Sequence, residues 1–438
     1  MGEYTRDAYM HSVKLDVDKC KGCTTCIKHC PTEAIRVRHG KATIIKERCI
    51  DCGECIRVCP HKAKTAECDA FDSLGLYEYT VALPAPSLYG QFHNLDDVNI
   101  ILQALLDIGF HKIFEVARAA EMISEYTRGK MQEKDLPRPL ISSACPACVR
   151  MICQRFPKLI PNIAPMIAPA ELAAILAREE AVRETGLSLE KIGIFFITPC
   201  PAKMTAAHNP VGLPFPVMDG AISMTEIYRK LLPAMKKVVD PPALLSAGLM
   251  GIGWATSGGE SASLLGETYI AVDGINNVIG VLEDIENGFL PDIEFLEIGA
   301  CTQGCLGGCL TSENPFSAKA KLKKLMKYLP VSRGRTLTGD EISAAQEPSR
   351  ETFRWKTSPE PTPVLQLDDD FKAALEKHAK IVKLRQKLPG LDCASCGTPS
   401  CRALAEDVVL GYAQESDCIF LQREKMGAGD YLPPPFRT

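Results

Sequence analysis

The chain has 438 residues, room for about three domains, and its 46% hydrophobic and 24% charged residues exclude a disordered chain, a collagen and a coiled coil. Fifty basic against 54 acidic residues give a net charge of −4, with no basic excess to argue for nucleic acid or an anionic membrane. The unusual number is 20 cysteines, in a chain too long to need disulfides to rescue a small core.

The opening MGEYTRDAYMHSVKLDVDKC has no apolar h-region and does not read as a secretory signal. Arg6 stands where a myristoylation motif wants Ser or Thr. No stretch approaches the roughly 18 apolar residues of a membrane span. The expectation is a cytoplasmic protein whose thiols stay reduced and serve as metal or redox ligands.

Eight cysteines lie between Cys20 and Cys59, and they form an internal repeat. Cys20-x2-Cys23-x2-Cys26-x3-Cys30-Pro31 recurs as Cys49-x2-Cys52-x2-Cys55-x3-Cys59-Pro60, offset by 29 residues. Residues 34–37 and 42–45 read as short strands joined at His39-Gly40. Three thiolates on one tight loop wrap one side of a four-iron four-sulfur cubane, and the fourth comes from elsewhere. In the bacterial ferredoxin run it comes from the other motif. One cluster then takes Cys20, Cys23, Cys26 and Cys59, and the other Cys49, Cys52, Cys55 and Cys30. A pair of zinc knuckles fits this spacing poorly. The chemistry so far is electron transfer only.

From about residue 81 to 327 the pattern is α/β. Residues 79–83, 192–198 and 295–298 read as buried strands. Helical patterns cover 95–108, 170–184, 225–236 and 276–287. Such alternation predicts parallel sheets with ligands at the carboxyl ends of strands. Three motifs follow strand-like segments: Ser142-Ser143-Ala144-Cys145-Pro146, then Thr198-Pro199-Cys200-Pro201-Ala202-Lys203, then Glu297-Ile298-Gly299-Ala300-Cys301-Thr302-Gln303-Gly304-Cys305-Leu306-Gly307-Gly308. Cys145, Cys200, Cys301 and Cys305 are positioned to bind one more cubane from four separate strand ends, and the glycines let backbone approach a bulky ligand.

Residues 331–369, rich in Pro, Ser and Thr, read as an extended linker. A helix over 370–388 leads into Cys393-x2-Cys396-x4-Cys401, with Cys418 beyond a helical stretch over 402–413. This group resembles the small 4Fe-4S domain attached to various anaerobic redox and corrinoid proteins. A fourth cubane on Cys393, Cys396, Cys401 and Cys418 is expected, although four thiolates serve zinc equally well. The linker would let this domain dock as an electron port or signal element.

The three central motifs, in this order behind a ferredoxin repeat, resemble those of the FeFe-hydrogenase catalytic domain, over roughly residues 10–330. The resemblance implies that Cys145, Cys200 and Cys301 are terminal cubane ligands. It implies that Cys305 bridges to a diiron subsite carrying carbonyl, cyanide and an azadithiolate amine, and that Lys203 hydrogen-bonds a cyanide. The implied activity is reversible cleavage of H2 into protons and electrons. The electrons would pass to a redox partner such as ferredoxin, or to a signalling or electron-transfer subunit. The implied fold is α/β: a ferredoxin-like domain over 1–70, a two-lobed hydrogenase domain with parallel or mixed sheets over 78–330, the linker, and the C-terminal domain over 370–438.

The sequence departs from the ordinary enzymes of this family. Ala144 replaces the cysteine that relays the proton. The relay glutamate falls on Glu121, but a second carboxylate falls near Ser124 and a relay serine near Ala164. Thr198, Gly299 and Cys148 replace two methionines and a tryptophan about the subsite. Losing a positioned proton-transfer group typically costs about 10²–10⁴ in rate. The pattern resembles the slow, sensory branch of the family. The alternative is a cubane-only electron-transfer or iron–sulfur scaffold protein without the diiron subsite.

Four cysteines remain. Cys68 and Cys153 read as small buried hydrophobes, while Cys148 and Cys309 lie beside ligands and are open to contact with them. His29 and His61 are expected to be partly solvated, and Glu260 to be a helix-start residue.

Overall fold

The continuous apolar run Ile192–Thr198 is buried at every residue and forms an inner strand, as runs covered on both faces do. It belongs to a four-stranded parallel sheet in the order Lys112–Ile113, Tyr79–Pro84, Ile192–Thr198, Gly220–Ser223. Val81 stands opposite Ile194, and Phe195 opposite Gly220. A second parallel sheet orders Tyr269–Asp273, Phe295–Gly299 and Leu140–Ile141. The architecture is therefore α/β with parallel sheets, in a computed structural model that describes residues 7, 10–133, 136–333, 350–362, 364 and 367–425.

The chain divides into two units. Met1–Ser12, Ile50–Gly53 and Ala66–Thr362 make the first, with both parallel sheets. Helix Pro169–Thr185 starts on a proline at its first position and stops at Gly186, whose φ of 67° is left-handed. The expected helix over 95–108 begins later, at Asn99, because the Asp97 carboxylate accepts from the Asn99 N–H at 2.9 Å and holds the chain in a turn. Helices Pro146–Arg155 and Pro201–His208 were not anticipated. Each opens on the proline after a motif cysteine, a start signal the sequence does display. Part of the expected linker also has fixed partners. Phe353 is buried and stacks on Tyr126 at 4.9 Å. The Trp355 N–H donates to Pro165 O and the Lys356 N–H to Gly212 O. Single aromatic anchors fix this stretch, so it carries no period to read. Residues 334–349 of the linker lie outside the described residues.

The second unit holds Val13–Cys49, Glu54–Thr65 and Pro363–Thr438. Strands Ile35–Arg38 and Lys41–Ile44 form an antiparallel hairpin, turned at His39 and Gly40 with φ of 51° and 71°, the positive pair that matches strand twist. Helix Phe371–Lys387 is capped by Asp370, whose carboxylate accepts from the Ala373 N–H. Helix Cys401–Val409 is capped by the Ser400 hydroxyl. Ile381, Leu384, Leu388 and Leu404 form the core between them. Among the described residues no helix is long and apolar enough to cross a membrane.

Candidate active site and cluster sites

The central thiols arrive from three strand ends rather than four. Cys145 follows strand Leu140–Ile141 and sits at the head of helix Pro146–Arg155. Cys200 follows Ile192–Thr198 and heads helix Pro201–His208. Cys301 and Cys305 share the loop after Phe295–Gly299, with Cys305 in the turn Gly304–Gly307. Two glycines seat that loop. A Cβ on Gly308 would lie 2.3 Å from the Pro199 carbonyl oxygen, and one on Gly307 2.0 Å from that of Thr302. Backbone thus touches the residue before Cys200, which brings Cys305 to the other lobe.

The four thiols converge electrostatically. Burial pushes the Cys200 thiol up, Lys203 pulls it down, and the charges of Cys301, Cys305 and Cys145 push it further up. Cys145 is lowered to about 5, first by a hydrogen bond from the Cys148 thiol, against burial and with help from Lys203. The Lys203 ammonium donates to Cys305 Sγ at 3.2 Å. Burial pushes its pKa down; the charges of Cys305, Cys200 and Cys145 and the hydrogen bond to Cys305 more than reverse this and favour the ammonium. Four soft sulfur donors beside one cation suit an iron–sulfur cubane rather than a hard ion. Lys203 borders a small cavity lined by Ser143, Pro146, Glu171, Phe196 and Trp355 among others. Trp355 comes from the stretch read as linker, where no sequence signal marked it.

At the relay position the Ala144 N–H donates to Ser142 Oγ at 3.2 Å, and Ser142 Oγ donates to Glu260 Oε2 at 2.5 Å. Glu260 is in the first turn of Gly259–Leu264, as expected, but its carboxyl is buried. Burial first, then the charge of Glu297, push it up to about 8. Burial also raises Glu297, whose carboxylate accepts from the N–H groups of Gly258 and Ser261. Glu121 Oε1 accepts from the Gly248 N–H at 2.6 Å, and Oε2 from the Ser332 hydroxyl at 2.7 Å. Ser124 shares hydrogen bonds with Ser263 and Trp254, and Ala164 is buried.

Residues 78–236 match the family described as iron only hydrogenase large subunit, C-terminal domain, and residues 12–60 match a 4Fe-4S dicluster domain. Residues 78–236 thus resemble the C-terminal domain of the iron-only hydrogenase large subunit. That match includes Cys145, Cys200 and Lys203 and ends before Cys301. Residues 388–420 match an Fe-S cluster family. Iron hydrogenase 1 of Clostridium pasteurianum is 26% identical over 286 residues, 53% of this chain and 50% of that protein. A cytosolic Fe-S cluster assembly factor NAR1 homolog of Schizosaccharomyces japonicus is 28% identical over 103 residues, 23% of this chain and 20% of that protein. The chain thus spans half or less of the length of these curated relatives. Two solved FeFe-hydrogenases, HydA(deltaEFG) and an apo variant of HydA1 from Chlamydomonas reinhardtii, superpose with TM-scores of 0.51 over 65% of this chain and 95% of theirs. At 14% identity that likeness is one of fold.

The second unit gathers two further thiol nests. Cys20, Cys23, Cys26 and Cys59 line one cavity. Cys393, Cys396, Cys401 and Cys418 line another. The ferredoxin repeat recurs in its hydrogen bonds: the Ala34 N–H donates to Cys30 Sγ at 3.2 Å and the Ala63 N–H to Cys59 Sγ at 3.3 Å. Such bonds tune cluster potential. Cys30, Cys49 and Cys55 belong to this unit, whereas Cys52 belongs to the first. There the neighbouring Asp51 is buried and accepts from the Ser12 N–H and the Thr205 hydroxyl while pairing with Arg150. Of the remaining cysteines, Cys68 is pushed up to about 12 by burial and nearby carboxylates, and Cys153 is buried in the core. Cys148 is buried against Cys145, and Cys309 Sγ abuts Gly53, which follows Cys52. His29 and His61 are exposed.

Proposed function

We propose that the hydrogenase domain holds a cubane on Cys145, Cys200, Cys301 and Cys305 and a diiron subsite beyond Cys305, and that it turns over H2 slowly. The single observation that carries this reading is the Lys203 ammonium, 3.2 Å from Cys305 Sγ and beside the cavity. A half-buried ammonium beside a cavity offers an anionic ligand a fixed partner. When bound, such a cofactor supplies reversible cleavage of H2 to two protons and two electrons. Lys203 would hold the anionic ligands, Gly307 and Gly308 let the Cys305 loop close, and Ser143 and Trp355 line the cavity. Ala144 carries no exchangeable side-chain proton; its N–H donates to Ser142, which donates to Glu260, with the Glu297 charge acting on Glu260. That unusual proton store supports low turnover and an H2-responsive role. With clusters bound, the cysteine sites would supply electron transfer, and the electrons would leave to a carrier or signalling protein in the cytoplasm.

Loading the purified chain with a synthetic diiron subsite tests the reading. Infrared bands of metal-bound CO and CN should appear, with H2 oxidation about 10² or more below enzymes that keep the relay cysteine. A full complement of cubane iron with no such bands after loading refutes the subsite and leaves the cubane-only scaffold.

A further inference from the structure

In the second unit the C-terminal cysteine loop enters the ferredoxin core. Ala394, between Cys393 and Cys396, is buried in one cluster with Val13, Cys20, Cys26 and Ile35. The Val37 N–H donates to the Gly397 carbonyl at 2.8 Å, and the Arg38 guanidinium donates to the Cys396 carbonyl at 2.6 Å. Val37 itself lines the cavity of Cys20, Cys23, Cys26 and Cys59. One residue therefore borders the first ferredoxin nest and bonds to the neighbour of a C-terminal ligand. Gly397 permits this approach: its φ is +79°, and a Cβ there would lie 1.9 Å from the Val37 carbonyl oxygen.

A lock of charges holds the contact. The Asp407 carboxylate accepts from Arg36 Nε at 2.7 Å and Nη2 at 3.1 Å, and from Arg38 Nη2 at 2.9 Å. Arg48 pairs with Glu406 at 3.1 Å, and Arg402 with Glu33 at 2.8 Å. Arg36, Arg48, Glu406 and Asp407 are all buried. Buried ions in a fully paired network fix one geometry, whereas a domain on a loose tether has no use for them.

We propose that the C-terminal four-thiolate site is a third electron-relay site in series with the ferredoxin pair. It exchanges electrons directly with the Cys20, Cys23, Cys26 and Cys59 site across the Gly397–Val37 contact. The step is the transfer of one electron from a reduced cubane to its oxidised neighbour, with no bond made or broken. It rests on the reading that both nests hold iron–sulfur clusters, and not on hydrogen chemistry at the central quartet, so its test uses no H2.

The test is electron paramagnetic resonance on the full chain carrying its clusters, reduced stepwise. The signal of the Cys20 site, assigned by its loss in Cys23→Ser, is expected to broaden and relax faster once the C-terminal cluster is reduced. Cys401→Ser, which breaks a C-terminal ligand, should abolish that response. Gly397→Val keeps every ligand, so it should keep the iron content while weakening the coupling. A wild-type Cys20-site signal indifferent to the redox state of the C-terminal cluster overturns the proposal, whatever the variants do. Zinc in place of iron at Cys393, Cys396, Cys401 and Cys418 overturns it as well and leaves the reading of the central quartet standing.

Discussion

Glu260 shows at the scale of one residue how burial sets both chemistry and stability. An unfolded glutamate titrates near 4.5, and the folded Glu260 near 8. Between these values the folded state binds the extra proton. Stability therefore falls as pH rises from about 5 to 8, because the unfolded state releases its proton first. Glu260→Gln keeps the shape and the acceptor for Ser142 but removes the titration. The melting temperature of the variant should fall less over that pH range than that of wild type, read by paired thermal scans. The same variant should lose about 10²-fold in H2 oxidation once loaded, the usual cost of removing a proton-transfer group. Unchanged activity with the altered pH profile would leave Glu260 a structural acid only. The sequence placed Glu260 correctly at a helix start yet gave no hint of its partner. Ser142 lies 118 residues away, and a hydrogen bond across that separation leaves no local pattern.

Among the elements, those with a period or a stop signal were legible. Strand Ile192–Thr198 appears with its expected bounds, and helix Pro169–Thr185 within a residue of them, since a buried run and a terminal glycine are local facts. Helix Val116–Met131 was expected only through the resemblance, as the element that carries Glu121; small residues such as Ala117, Ala119 and Ala120 fill its buried face and dilute the apolar stripe. The loop that carries Cys301 and Cys305 has no regular period either, yet its glycines announced a close approach. They met protein backbone at Pro199 and Thr302, where a bulky ligand was expected. Gly308→Ala should therefore push the loop off the Cys200 strand end. Overpacking of this kind costs about 1–3 kcal/mol and displaces Cys305 as well. Iron per chain after reconstitution should fall by the central cubane alone, with the ferredoxin signals intact. Gly75→Ala, where a Cβ meets nothing within 4 Å, should leave iron unchanged. Equal iron in both variants would show that the loop tolerates the methyl group and that the close approach does not position Cys305.

For the whole molecule, two thiol groups, Cys20, Cys23, Cys26 and Cys59 and Cys393, Cys396, Cys401 and Cys418, were readable as neighbours, and the assembly of the second unit was not. Cysteine spacing is short-range and dictated by cluster geometry, so the thiols that share each cavity were already grouped in the sequence. Arg36 and Asp407 stand 371 residues apart, and no motif links a ferredoxin strand to a C-terminal helix. What joins them is desolvated charge, and its energetics differ from those of the exposed pairs around it. The side chains of Arg36 and Asp407 are 7% and 8% exposed, so removing the carboxylate strands the buried Arg36 guanidinium and takes the ion partner of the partly exposed Arg38 as well. Breaking a buried pair in this way costs about 3–5 kcal/mol. Arg402, half exposed in its pair with Glu33, is worth about 0–1 kcal/mol. Asp407→Ala should thus lower the denaturation midpoint of the cluster-loaded protein well beyond Arg402→Ala. It should also open the stretch around Gly397 to proteolysis while the thermal transition of the first unit stays put. Matching losses in the two variants would mean that water reaches Asp407 and that the network is an ordinary surface one.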